Sequence, residues 1–149
     1  MTFLLDVNVL LAILDPDHFA HDSAQQWFEN ERPSWATCPI TQNGALRVLS
    51  GATYGSTAGG SCLRPADVAA SLRRMITVRG HVFWPDDLSL LDSPLVDPAA
   101  ITSTRQVTDT YLLALAVSRG GRLATFDRRL ATRAVRGGEA ALLQIPASR

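Results

Sequence analysis

The chain has 149 residues, 46% of them hydrophobic and 19% charged, which suits one domain with a buried core and excludes both two ordinary domains and general disorder. Its 14 basic residues balance its 14 acidic ones, so no net field draws in a polyanion and any such partner must be held locally. Every basic residue is arginine, and the lack of lysine excludes a P-loop lysine, a Schiff-base lysine and a Ser-Lys dyad.

Met1 to Asp6 carry no basic start and reach a carboxylate before any long apolar run, so neither a secretory signal nor a spanning helix is expected, and the expected setting is the cytoplasm. Phe3 to Asp6 reads as a short buried strand, and the apolar pattern of Val7 to Leu14 suits a helix that follows it directly. Asp15-Pro16-Asp17 breaks that run. Ala20, Ala24, Trp27 and Phe28 then recur at helical spacing until Arg32-Pro33. Trp35 to Cys38 is a second strand, and Thr41 is placed as the N-cap of a helix through Leu46, Val48 and Leu49 that closes at Ser50-Gly51.

Residues 51–61 hold four glycines among small polar residues and read as a loop, with no GK[ST] to make it a phosphate cradle. Pro65 opens a helix through Val68, Leu72 and Met75 that ends at Gly80, and Val82 to Trp84 reads as a third buried strand. Only short helical turns are expected between Leu88 and Val107. Thr108 is read as the cap of a helix, Tyr111 to Val117, that is apolar on every face, with Asp109 in its first turn. Gly120-Gly121 ends it, Leu123 to Phe126 forms a fourth strand before Asp127, and Ala141 to Ile145 is a candidate fifth strand at an edge. Strands alternating with helices point to a parallel α/β sheet with helices on both faces. Cys38 and Cys62 lack CxxC spacing and read as reduced thiols rather than a disulfide.

Asp6 and Asp127 follow apolar strands and Asp109 opens an apolar helix, positions that in open α/β sheets lie at the carboxyl edge where ligands bind. Neighbouring strands are about 4.8 Å apart, so acids at their ends can converge, and Mg²⁺ or Mn²⁺ is the natural counter-charge for such a group. Each acid alone has a plain structural reading, as a helix cap or a first-turn charge; the three together make a site. Asp15, Asp17, Asp86, Asp87 and Asp92 lie in polar turns and read as solvated.

Leu4-Leu-Asp-Val-Asn-Val-Leu10, Thr41-Gln-Asn-Gly44 with Leu46-Arg47, Thr108-Asp-Thr-Tyr-Leu-Leu-Ala-Leu-Ala116 and Leu123-Ala-Thr-Phe-Asp-Arg-Arg-Leu130 together resemble a PIN-domain ribonuclease of the VapC toxin type. The segments keep that family's order over nearly the whole chain. The resemblance implies a single domain over 1–149, a three-layer α/β/α fold with a central, mainly parallel sheet of four or five strands, and a homodimer. It further implies Mg²⁺-dependent endonucleolytic cleavage of RNA, such as tRNA or another structured RNA, leaving a 5′-phosphate and a 3′-hydroxyl, and a VapB-like antitoxin whose C-terminal segment covers the acidic pocket. Asp6, Asp109 and Asp127 match the family's acids, with Asp6 and Asp109 the positions usually assigned to the metal.

One position departs from the pattern. The family usually has glutamate just before Asn-Gly in the second motif, and here it is Gln42. An amide keeps the shape and one carbonyl acceptor but cannot act as a base. Two readings stand: a working nuclease in which Gln42 orients water, and a weakened PIN-fold protein that binds RNA or antitoxin without cleaving. Asn8 either bonds a metal water or the Asp6 carboxylate, or steadies the helix start; Asp-Val-Asn lacks the second acid that a haloacid-dehalogenase-like phosphatase needs. Arg47 and Arg128 are candidate grips on phosphate, with a solvated helix face as the plain alternative for each, as for Arg129. His18 and His21 stand at i, i+3 without a further ligand nearby, too little for Zn²⁺. Trp27, Phe28 and Trp84 read as core residues rather than base-stacking platforms.

Overall fold

A computed structural model describes residues 1–57 and 63–147. Alternation along the short strands decides its layers. In β1 (Thr2–Leu5), β2 (Ser34–Thr37) and β4 (Arg122–Thr125), the residues Leu4, Ala36 and Leu123 are paired across the sheet and face one side. Their neighbours Leu5, Trp35 and Ala124 face the other. The first set packs under the long helix α6 (Gln106–Ser118), whose residues Tyr111 to Ala116 are all buried. The second set packs under α1 (Val7–Leu14), α3 (Pro39–Leu49) and α5 (Pro65–Met75), which contribute Val9 and Leu10, Ala45 and Leu49, and Val68, Leu72 and Met75. Each large aliphatic side chain so removed from water stabilises the fold by about 1.5–3 kcal/mol before chain entropy is counted. The result is a three-layer α/β/α arrangement. α2 (His21–Glu31) lies against α1 through Ala12, Ala20 and Ala24, whose small side chains let the two helices approach closely.

The sheet is wholly parallel, in the order β3-β2-β1-β4-β5, with β3 spanning His81–Phe83 and β5 spanning Leu142–Gln144. The chain runs outward from β1 to β2 to β3, then returns to lay β4 on the opposite flank of β1. The carboxyl ends of β1 and β4 therefore border the point where strand order reverses, the place at which open α/β sheets form a crevice. That crevice needs no cavity in the core; it follows from the order of the strands.

Several features differ from the sequence reading, among them the end of α5, which falls at Met75 and not at Gly80. The helix expected to start after a Thr41 cap begins at Pro39 with Cys38 as N-cap, and Thr41 sits three residues in, its hydroxyl accepting from the Cys38 amide at 3.0 Å. The supposed loop 51–61 holds a short helix, α4 (Ala52–Thr57); positions 58–62, with Cys62, lie outside the described residues. α6 begins at Gln106, so Thr108 lies inside its first turn and is not its cap. The third strand was expected to be buried, yet β3 is an edge strand in which Val82 and Phe83 are 43% and 50% exposed, because no strand among the described residues pairs beyond it. Cys38 is buried and free. Among the described residues no helix is long and apolar enough to cross a membrane.

Candidate active site

Asp6 is where β1 becomes α1. Its extended backbone makes it the N-cap, and its Oδ1 accepts from the Val7 amide at 2.7 Å, so the plain capping reading of this acid is correct as far as it goes. The other oxygen does something a cap does not require. Pairing of Leu5 with Ala124, and the Asp6 amide donating to the Ala124 carbonyl at 3.0 Å, set Asp6 level with Thr125. The Thr125 hydroxyl donates to Asp6 Oδ2 at 2.7 Å. The Thr125 Oγ1 in turn accepts from Asn8 Nδ2 at 3.0 Å and from the Asp127 amide at 3.0 Å, which uses the full capacity of a hydroxyl at a residue with no solvent exposure.

Asn8 closes the arrangement. Its Oδ1 accepts from the Phe126 amide at 3.1 Å, while its Nδ2 also reaches Asp6 Oδ2 at 3.4 Å. Both sequence readings of Asn8 meet here, since it touches the Asp6 carboxylate and ties the start of α1 to the end of β4. Asp127, two residues past β4, is exposed, and its Oδ1 accepts from the Arg129 amide at 2.8 Å. Asp109 projects from the first turn of α6, partly buried.

The three acids share one electrostatic field. Burial pushes the Asp6 carboxyl above its ordinary value; its bonds to Thr125 and Val7 pull the other way, and the Asp127 charge adds to the rise. Asp109 is pushed up to about 6, first by burial, then by the charges of Asp6 and of Asp127. Like-charge repulsion of this kind is relieved by a cation, and the donors are all hard oxygens. Among the described residues, however, no group of three or more His, Cys, Asp or Glu side chains is gathered into a finished metal cluster. Carboxylates held in this way would suit an ion that takes one or two of them and keeps its own waters, the habit of Mg²⁺.

The remaining candidates make no side-chain hydrogen bond or ion pair with the three acids among the described residues. Gln42, on α3, donates from Nε2 to the Thr37 hydroxyl at 2.9 Å and makes no hydrogen bond to Asp6, Asp109 or Asp127 among the described residues. With Asn43 and Arg73 it lines a groove of about 170 Å³ between α3 and α5. Arg47 is exposed on α3, and Arg128 is exposed directly after Asp127. His18 and His21 serve the turn between α1 and α2: His18 Nδ1 accepts from the Ala20 amide at 3.1 Å, and His21 Nδ1 bonds the Ala12 carbonyl at 2.6 Å. Trp84 is buried, and Trp27 and Phe28 pack edge to face against each other, with Phe3 and Trp35 adjoining.

Sequence reasoning missed Thr125 and Thr37. For Thr125 the available signal was a hydroxyl at the last position of an apolar strand, on the same side as Leu123 and two residues before an acid.

Compared with known proteins, the chain matches the PIN domain family model over residues 3–135. It is 46% identical over 141 residues to Ribonuclease VapC44 of Mycobacterium tuberculosis (strain H37Rv), covering 92% of this chain and 94% of the relative. To Ribonuclease VapC39 of the same strain it is 44% identical over 138 residues, covering 92% and 96%. Ribonuclease VapC29 of that strain is 41% identical over 131 residues, covering 88% and 90%.

Proposed function

Because the chain belongs to the PIN-domain family, in its VapC ribonuclease type, we propose that it is a Mg²⁺-dependent endoribonuclease toxin held in check by a VapB-like antitoxin. The observation that carries this reading is the shared field of Asp6, Asp109 and Asp127 at the point where strand order reverses. Asp6 and Asp109 would hold the ion, with Asp127 bound directly or through water; Mn²⁺ is an acceptable substitute. When bound, a divalent ion acidifies water and offsets charge on a scissile phosphate. The chain's own residues do the rest. Thr125 and Asn8 fix the Asp6 carboxylate, Arg128 and Arg47 grip the RNA backbone, and Gln42 orients water.

RNA, such as tRNA or another structured RNA, is the substrate in this reading, the cytoplasm the setting, and the working unit a homodimer. An antitoxin arginine placed among three carboxylates would neutralise the site by charge pairing. The second reading, binding without cleavage, is favoured by one feature: residue 42 carries no charge and spends its amide on Thr37. Incubation of the protein with short structured RNAs, with Mg²⁺ or Mn²⁺ and with chelator, separates the two. Cleavage that needs the ion supports the nuclease, whereas retention of RNA without cleavage under every condition supports the binder.

A further inference from the structure

We infer that His81 is a positioning residue for Gln42: through the hydroxyl of Thr37 it holds the Gln42 amide with its NH₂ group turned toward Thr37, leaving the carbonyl oxygen free of that bond. This rests on the reading that residue 42 serves the acidic site. The pairing of Trp35 with His81 and of Thr37 with Phe83 sets Thr37 and His81 diagonally on one face of β2 and β3. The imidazole lies across Trp35, ring centroids 4.6 Å apart, and its Nε2 is 2.8 Å from Thr37 Oγ1. Thr37 has no solvent exposure, and among the described residues its hydroxyl is satisfied by two side chains, Gln42 Nε2 at 2.9 Å being the other.

With Gln42 Nε2 as the donor to Thr37, proton counting orders the chain. An amide nitrogen only donates, so Thr37 accepts from Gln42 and its single proton goes to His81 Nε2. That nitrogen must be bare, which makes His81 neutral with its proton on Nδ1. The charged groups nearest in sequence are Arg79 on the preceding turn and Asp86 and Asp87 beyond β3, while β2 carries none. Burial is the one cause acting on the imidazole, and it lowers the pKa, favouring the neutral form. The reverse arrangement is equally self-consistent. If Nε2 carries a proton it donates to Thr37, Thr37 must donate to Gln42, and the amide turns over to present NH₂ in place of the carbonyl. The tautomer of His81 and the face shown by Gln42 are therefore one two-state variable. The carbonyl is what glutamine shares with the glutamate usual at this position.

Glutamate has no proton to offer Thr37, so Gln42→Glu must draw the Thr37 proton toward residue 42 and require His81 to supply a proton from Nε2. Nitrogen NMR of the full chain reads this directly, with His18 and His21 as internal references. The parent is expected to show His81 as the Nδ1–H tautomer. Gln42→Glu is expected to convert it to Nε2–H and to raise its titration midpoint by about half a pH unit or more, as an added anion one hydroxyl away should. In cleavage assays Thr37→Val is expected to lower kcat by about tenfold at unchanged KM, and Thr37→Ser to keep the parent value. An Nε2–H tautomer in the parent, an identical tautomer and midpoint in Gln42→Glu, or full kcat in Thr37→Val overturns the inference. If the tautomer switches while the parent cleaves no RNA under any condition, the nuclease reading fails and the positioning chain stands.

Discussion

One hydroxyl, that of Thr125, bonds Asp6, Asn8 and the Asp127 amide, so the geometry of two acids depends on a residue that carries no charge. Thr125→Val keeps the shape and strands those three groups. It is expected to lower unfolding stability by about 1–3 kcal/mol in denaturant titrations, and to raise the Asp6 pKa further, while Thr125→Ser restores most of both. The acids themselves were legible in the sequence because a carboxylate ending an apolar strand or opening an apolar helix stands out. Thr125 was not, since its partner Asp6 lies 119 positions away and a threonine in a strand is ordinary by composition. Asp109 gives a pH test. Held near 6 against an ordinary 3.8, it binds its proton more tightly folded than unfolded, so without divalent ions it removes stability as pH rises from about 4 to about 6. Asp109→Asn lacks that loss. Its melting temperature relative to the parent is expected to climb across this window and level off above it; a constant difference would contradict the shift.

At the level of elements, α3 meets α1 where Gly44 faces Val7. A Cβ at Gly44 would stand 2.6 Å from Val7 Cγ2, and Val7 is too short and branched to move aside. Gly44→Ala is therefore expected to cost about 1–3 kcal/mol, measured by chemical denaturation, and to disturb the start of α1 where Asp6 sits. Neutral or increased stability would show that the two helices can part freely. Strand and helix types were legible because the alternation of Leu4 with Leu5, Trp35 with Ala36 and Leu123 with Ala124 divides two cores, and because α6 is apolar all round. Helix starts were read less well. Cys38 is an unusual N-cap, its role revealed only by the Thr41 hydroxyl reaching back to it, and α6 opens at Gln106 behind Arg105, which makes no side-chain cap. The exposure of β3 could not be read from Val82-Phe-Trp84, because an edge is set by which strands fail to follow, not by the strand's own residues.

For the whole molecule, strand order does what net charge cannot. With 14 basic and 14 acidic residues the chain has no long-range field for RNA, and the proposed function rests on a local acidic group at the reversal between β1 and β4. In the proposed function that group would draw its ion from solution. Chelation is accordingly expected to abolish cleavage and restored Mg²⁺ or Mn²⁺ to return it, a cycle read on one RNA by gel. The most direct measurement is cleavage of total RNA with and without divalent ion by the parent chain beside Asp6→Asn. The account predicts cleavage by the parent only when the ion is present, and none by Asp6→Asn although it stays folded. Cleavage of equal rate by Asp6→Asn, or by the parent in excess chelator, would contradict it.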